Sequence, residues 1–290
     1  MSIRGEEKMK KKRVPMYLFA LPGFCFFTFA MLIPFMMGIH IAFTDWDGVS
    51  STYNYVGLKN FFAMLDDTRL EDPIVNTIKF AILGTIIGNV VPLSLALIVN
   101  SKHRRVSSIA RLVFFIPVCF SSVLTAFLWR FLYHVFFPKV FGWKNILGNP
   151  KWVILGIVII GVWNTAGTNM LIYLSGLKTI PLELYEAAKM DGASGIQQFR
   201  TITLPLLMPS FSVCVTLTLT SWLKEFATTL SATSGGPGGS SRTISIYVFD
   251  NLYKYYKAGY GQAISLLFAV FLIGVGLAVS SFFRRREVEF

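Results

Sequence analysis

The sequence predicts an all-α, polytopic membrane protein with six transmembrane helices. Only 14% of the 290 residues are charged, where soluble domains carry about 25%. The apolar residues are gathered into six runs free of Asp, Glu, Lys and Arg, at 17–44, 80–100, 112–129, 152–177, 201–223 and 258–283. The shortest run has 18 residues, and a helix crosses the hydrocarbon core with about 20, about 17 being the lower limit. An ordinary soluble enzyme is excluded on these grounds. A transmembrane β-barrel is excluded too, because its strands alternate in polarity over about 10 residues, whereas these runs are apolar on every face. Backbone groups facing lipid must be paired inside the segment, which leaves a helical bundle.

Taken in order, the chain divides into a tail at 1–16, a six-helix domain at 17–283 and a second tail at 284–290. Lys10, Lys11, Lys12 and Arg13 precede the first apolar run as they would in a signal peptide, but that run has 28 residues against about 7–15 for a signal core. A retained first helix is expected. Segments on the side of the N-terminus (1–16, 101–111, 178–200 and 284–290) hold 16 Lys and Arg in 57 residues; the opposite side (45–79, 130–151 and 224–257) holds 11 in 91. The positive-inside rule therefore places both termini in the cytoplasm. The net charge of +12 reads as topology, with no nucleic acid as partner. The outer segments are too short for an independent domain, which needs about 50 residues. The first is acidic (Asp45, Asp47, Asp66, Asp67, Glu71, Asp72) but lacks the spacing of a calcium loop, and reads as a solvated face. Gly84 and Gly88 form a small-xxx-small pair that permits close helix approach. Pro92, Pro117, Pro205 and Pro209 interrupt the backbone ladder within the runs. Gly235-Gly236-Pro237-Gly238-Gly239 is a flexible turn in the last outer loop.

Little catalytic chemistry is available. His40, His103 and His134 are scattered, and Cys25, Cys119 and Cys214 have no metal-ligand spacing. No Gly-Lys dipeptide occurs, so the chain has no phosphate loop, and ATP, if used, binds another chain. The runs contain no carboxylate for proton coupling, although backbone carbonyls of broken helices can bind sodium, so an ion-coupled secondary transporter stays open. Asn164, Asn169 and Tyr173, at spacings of five and four, are expected near one face of the fourth helix, with Trp222 and Glu225 at the outer part of the fifth. Neutral hydrogen-bonding groups and aromatics of this kind suit an uncharged polyhydroxylated solute; they serve equally well as interhelical bonds. No metal site and no bound cofactor are expected.

The most informative segment is 178–205. Pro181 can open a helix, Glu183 and Glu186 suit its positive end, and Gly192 with Gly195 can end it and turn the chain. Ala187 and Ala188 give it a small-residue surface open to close approach by another protein. Glu186-Ala187-Ala188, three residues, Gly192, nine residues, then Ile202-Thr203-Leu204-Pro205 resembles the signature cytoplasmic loop of permease subunits of binding-protein-dependent ABC importers. Leu21-Pro22-Gly23, Phe43-Thr44-Asp45, Gly57-Leu58-Lys59-Asn60-Phe61, Trp222-Leu223-Lys224-Glu225-Phe226, Thr233-Ser234-Gly235-Gly236-Pro237, Gly259-Tyr260-Gly261-Gln262-Ala263 and Arg284-Arg285-Arg286 are similar to sugar permeases of the first, maltose-type class.

The resemblance implies a type I importer permease with a cytoplasmic coupling helix. Glu186 would contact the ATPase, Ala187 and Ala188 would form the close-approach surface, Asp191 would be a polar contact or cap, and Gly192 the turn; Ile202, Leu204 and Pro205 would complete the coupling segment. It also implies the partners: a second homologous permease, two cytoplasmic ATPase subunits carrying ATP and magnesium, an extracytoplasmic solute-binding protein, a sugar, and the lipid of a bacterial cell membrane. A sugar phosphate remains an alternative solute.

Overall fold

The computed structural model describes residues 17–100 and 104–285; the expected tail at 1–16, residues 101–103 with Lys102 and His103, and residues 286–290, Arg286 included, lie outside the described residues. Within them all regular structure is helical, and the β-type pairing is a single bridge between Thr44 and Tyr55. The principal helices are α1 (Phe19–Ala42), α2 (Glu71–Val99), α3 (Arg104–Phe115), α4 (Ser122–Phe131), α5 (Val153–Thr179), α6 (Leu182–Met190), α7 (Met208–Leu223), α8 (Ala227–Thr233), α9 (Ile244–Tyr253) and α10 (Ala258–Arg284).

Of the six expected spans, four are continuous helices long and apolar enough to cross a membrane, containing α1, α2, α5 and α10. The third and fifth are bent pairs. Ser107–Cys119 meets Ser122–Phe141 at 100°, and Gly195–Leu206 meets Met208–Leu223 at 70°. Both breaks fall at proline, which lacks the N–H that would continue the ladder. Pro117 sits in a short 3₁₀ turn, Ile116–Cys119, after which Phe120 is extended and Ser121 caps α4 by accepting from the Leu124 N–H at 3.2 Å. Pro205 and Pro209 flank the second bend at Leu207. Pro92, by contrast, is buried inside α2 without interrupting it. The second span also begins earlier than its charge-free run. Glu71 and Asp72 occupy the first turn of α2, where negative charge suits the helix dipole, and so extend the helix outward.

The core is organised where α2, α5 and α7 converge. Trp222 of α7 is 6% exposed and its indole fills notches left by Gly84 on α2 and Gly161 on α5; a methyl group on either glycine would overlap the ring. Phe80 stacks on the same indole, with centroids 6.2 Å apart and planes 3° from parallel. The small-xxx-small pair thus works through an aromatic knob. Farther along, Gly167 lets α5 touch the backbone of Phe114 and Phe115 at the first bend, and Met170, Tyr173, Leu177, Leu207 and Cys214 form a second cluster near the other bend. α1 lies against α10 yet is exposed along most of its length.

At the end of the bundle away from α6, the 45–70 segment, α8 and α9 form a cap. Asp67 is not simply solvated, as the acidic loop suggested: it accepts from the hydroxyls of Tyr247 and Tyr260 at 2.5 and 2.6 Å. Burial pushes its carboxyl up, but these donors and the Arg69 N–H hold it below its ordinary value; burial and then the facing carboxylate push Tyr247 up to about 12. Asp47 binds its own turn through Ser50 and Val49, and these bonds lower it to about 2.

Overpacking a filled notch forces neighbours off their preferred rotamers. Gly84→Val should therefore destabilise the purified chain by about 1–3 kcal/mol, read as a lowered melting temperature, while Gly23→Val, at a position with no neighbour within 4 Å, should leave melting unchanged.

Candidate functional site

A cavity of about 380 Å³ opens between α5 and α7, with Glu225 and Thr228 of the cap at its rim. α5 contributes Asn164, Thr165, Thr168 and Asn169, α7 contributes Thr218, Ser221 and an edge of Trp222, and Ser122, Glu225 and Thr228 close the rim. Eight of its twelve lining residues carry a hydroxyl or an amide, and Glu225 is its one ionisable side chain.

Four of the five expected pathway residues meet here, but not on one helical face. A helix turns about 100° per residue, so the five-residue step from Asn164 to Asn169 rotates about 140°, and Tyr173, nine residues on, lies opposite Asn164. Tyr173 is fully buried away from the cavity and donates to Asn89 Oδ1 of α2 at 2.6 Å. Asn89 Nδ2 donates in turn to Thr218 Oγ1 of α7 at 2.8 Å. Asn169 Nδ2 reaches the Gly88 carbonyl at 3.1 Å. These bonds fasten α2, α5 and α7 together, so the placing of Tyr173 on the pathway is corrected to a packing role.

Asn164 has a different task. Its amide donates to the carbonyls of Pro117 and Phe120, at 2.8 and 3.1 Å, and lies 3.2 Å from Thr125 Oγ1. The Pro117 carbonyl also accepts the Phe120 N–H at 3.1 Å, so Asn164 adds a second bond there and supplies one to Phe120 at the 100° bend, where an unpaired group would cost several kcal/mol. The sequence marked both Pro117 and Asn164, 47 residues apart; nothing in the spacing paired them.

Glu225 follows the end of α7 and accepts from the Thr229 N–H at 3.0 Å and from the Thr228 and Thr229 hydroxyls at 3.4 Å. It thereby satisfies the first turn of α8. Burial pushes its carboxyl above the ordinary value of 4.5, against the pull of these donors. Thr228, Thr229 and Thr243, which donates to the Glu225 carbonyl at 2.8 Å, were not singled out by the sequence. Among the described residues no group of His, Cys, Asp and Glu is arranged to hold a metal ion.

At the opposite end, α6 lies between the fourth and fifth spans. Pro181 is its N-cap, one position before the helix, and Glu183 is in its first turn. Asp191 is the C-cap. Gly192 takes φ +79°, its N–H bonds to the Lys189 carbonyl at 3.1 Å, and the Ala193 N–H bonds to Ala188 at 2.9 Å. This is a Schellman ending, in which glycine supplies the left-handed residue. Gly195 is not part of the turn; it lies in the first turn of the next helix, opened by a Ser194–Gln197 capping box. Glu186 and Ala187 are exposed and Ala188 half-buried, while Leu182, Leu184 and Met190 are 64%, 40% and 88% exposed. On the inner side the Tyr185 hydroxyl lies 2.9 Å from Thr203 Oγ1. Ile202 packs on the cluster around Leu177 and Leu207, and Leu204 and Pro205 lead into the 70° bend.

Comparison with known proteins follows the same outline. Residues 88–287 match the family described as "Binding-protein-dependent transport system inner membrane component". The chain is 32% identical to the probable starch degradation products transport system permease protein of Thermoanaerobacterium thermosulfurigenes, over 97% of this chain and 98% of that one. It is 33% identical to the trehalose/maltose transport system permease protein of Thermococcus litoralis, over 76% of each. A chain of the bacterial alginate ABC transporter, solved in complex with an alginate pentasaccharide-bound periplasmic protein, has the same fold, with TM-score 0.80, 22% identity and 93% of both chains covered.

The raised carboxyl of Glu225 carries a sign. Between the unfolded value near 4.5 and the higher folded one, the folded state binds the extra proton, so Glu225 costs stability as pH rises through that interval. Melting curves from pH 4.5 to 8 should show Glu225→Gln gaining on the unsubstituted chain as pH rises. A difference independent of pH would contradict the assignment.

Proposed function

The chain belongs to the family of binding-protein-dependent transport system inner membrane components, and from that premise we propose that it is the permease subunit of an ATP-driven sugar importer. The observation that carries the reading is the construction of α6. It is a well-capped helix with apolar side chains and a carboxylate exposed, held on its other side to the fifth span. Such a helix has an unfilled face and a mechanical attachment, as a coupling element requires.

In this mechanism an extracytoplasmic binding protein delivers the sugar, and closure of two ATPase subunits, which hold ATP and magnesium, shifts the pathway between inward- and outward-facing states. The ATPase grips α6 through Glu186 and through the low surface of Ala187 and Ala188. Displacement of α6 passes through Tyr185 and Thr203 into the segment 199–206, and the bend at Leu207 lets that segment turn relative to α7. A second permease of the same family completes the pathway, and both termini lie in the cytoplasm. This chain catalyses no covalent step.

The cavity chemistry supports a neutral, hydroxyl-rich solute. Asn169, Thr168 and Ser221 can exchange hydrogen bonds with sugar hydroxyls. No cation is among the lining residues, which favours a sugar over a sugar phosphate, since phosphate recognition uses Arg or Lys. The named sugars of the two relatives agree with this class.

Two variants test the coupling role. Gly192→Pro removes the bond to Lys189 and forbids the positive φ, and Glu186→Lys reverses the contact charge. Each should lower ATP-dependent uptake in proteoliposomes at least about tenfold, equivalent to about 1.4 kcal/mol of lost coupling, with unchanged membrane insertion and loss of the co-purifying ATPase. Normal uptake by both variants would sink the proposal.

A further inference from the structure

A second cleft lies on the outer half of the bundle, remote from the cavity, between the start of α2 and the start of α5. It has a volume of about 540 Å³. Its lining includes Lys79, Lys151 and Asp72, the apolar side chains of Leu83, Ile154 and Leu155, and Trp152. Among the described residues the ion pairs are those of Asp250 with Arg242 and Lys254, so neither Lys79 nor Lys151 has a carboxylate partner.

The depth of this cleft follows from helix geometry. At 1.5 Å per residue, about 20 residues cross the roughly 30 Å hydrocarbon core. Counting outward from Val99, the cytoplasmic end of α2, the outer boundary falls at about Lys79. Counting outward from Leu177 near the cytoplasmic end of α5 puts that boundary near Ile157, with Trp152 and Lys151 about 8 Å beyond, in the headgroup layer. Trp152 is 54% exposed, as an interfacial tryptophan should be. Below Lys79 on the same side of α2, Leu83, Ile86 and Val90 are exposed, at the i, i+4, i+7, i+11 spacing of one helical stripe. The groove is thus cationic at headgroup height and apolar down the adjoining stripe.

We propose that this cleft binds a phospholipid of net charge −1, of the phosphatidylglycerol type, in the outer leaflet. Two ammonium groups and one carboxylate leave the lining at +1, the complement of one phosphodiester. Lys79 and Lys151 take the phosphate oxygens, Asp72 accepts from the headgroup hydroxyl, and an acyl chain lies along Leu83, Ile86 and Val90. The lipid would brace α2 against α5 on the side away from the solute cavity.

The test uses the full chain in the complex with which it purifies, in nanodiscs of dioleoylphosphatidylcholine with and without dioleoylphosphatidylglycerol. Native mass spectrometry then counts retained lipids. The unsubstituted protein should retain phosphatidylglycerol in preference to phosphatidylcholine. Lys79→Ala with Lys151→Ala should weaken this retention about thirtyfold, at about 1 kcal/mol per lysine near an anionic surface, and Lys79→Arg with Lys151→Arg should restore it. Melting in pure phosphatidylcholine should be the same for all three proteins, since both side chains are exposed. Equal retention by the alanine pair, or displacement of the lipid by millimolar inorganic phosphate, would overturn the proposal. So would loss of solute-binding-protein capture in the alanine pair with lipid retention unchanged, which would make the cleft a protein contact.

Discussion

The indole of Trp222 is the piece around which the bundle closes. It can lie between α2 and α5 only because Gly84 and Gly161 have no side chains, and its stacking on Phe80 fixes the rotation of α2. With the three helices at that separation, Asn89 comes within reach of both Tyr173 and Thr218. In a bilayer there is little hydrophobic force between helices, so packing and interhelical hydrogen bonds carry the association. The cavity is what remains on the other side of the same junction. Trp222 therefore both holds the bundle together and lines the cavity.

The two bent spans are held in different ways. At the 100° bend Asn164 bonds the carbonyls of Pro117 and Phe120, which ties the break to the fourth span. At the 70° bend Leu207 is fully buried against Met170, Tyr173 and Leu177 of α5, its N–H bonds to the Thr203 carbonyl at 3.0 Å, its carbonyl accepts the Phe211 N–H at 2.9 Å, and the Thr203 hydroxyl meets Tyr185. The first bend is held by a side chain from the fourth span, and the second by burial of Leu207 against that span and by the Tyr185–Thr203 contact to α6.

Much of this was legible in the sequence because the bilayer imposes simple rules. Charge-free runs located the spans, and the 186–205 pattern located α6, the turn at Gly192 and the family. Two kinds of feature were not legible. Proline marks a weakened ladder without saying whether the helix gives way: Pro92 lies inside an intact α2, whereas the chain turns after Pro117, where Asn164 bonds the carbonyls of Pro117 and Phe120. Residue spacing also gave the wrong face for Tyr173, since a step of five followed by a step of four ends on the opposite side of the helix. The bonds from Tyr247 and Tyr260 to Asp67 join positions 180 and 193 residues apart, and no local pattern encodes them.

The most direct measurement of the central claim is the number of sugar molecules imported per ATP hydrolysed by the reconstituted transporter carrying Tyr185→Phe. This substitution removes one hydroxyl, leaves the docking face of α6 intact, and cuts the bond to Thr203. If α6 drives the fifth span through that bond, ATP hydrolysis should persist while import per ATP falls severalfold. An unchanged ratio would contradict the account and send the coupling by another route.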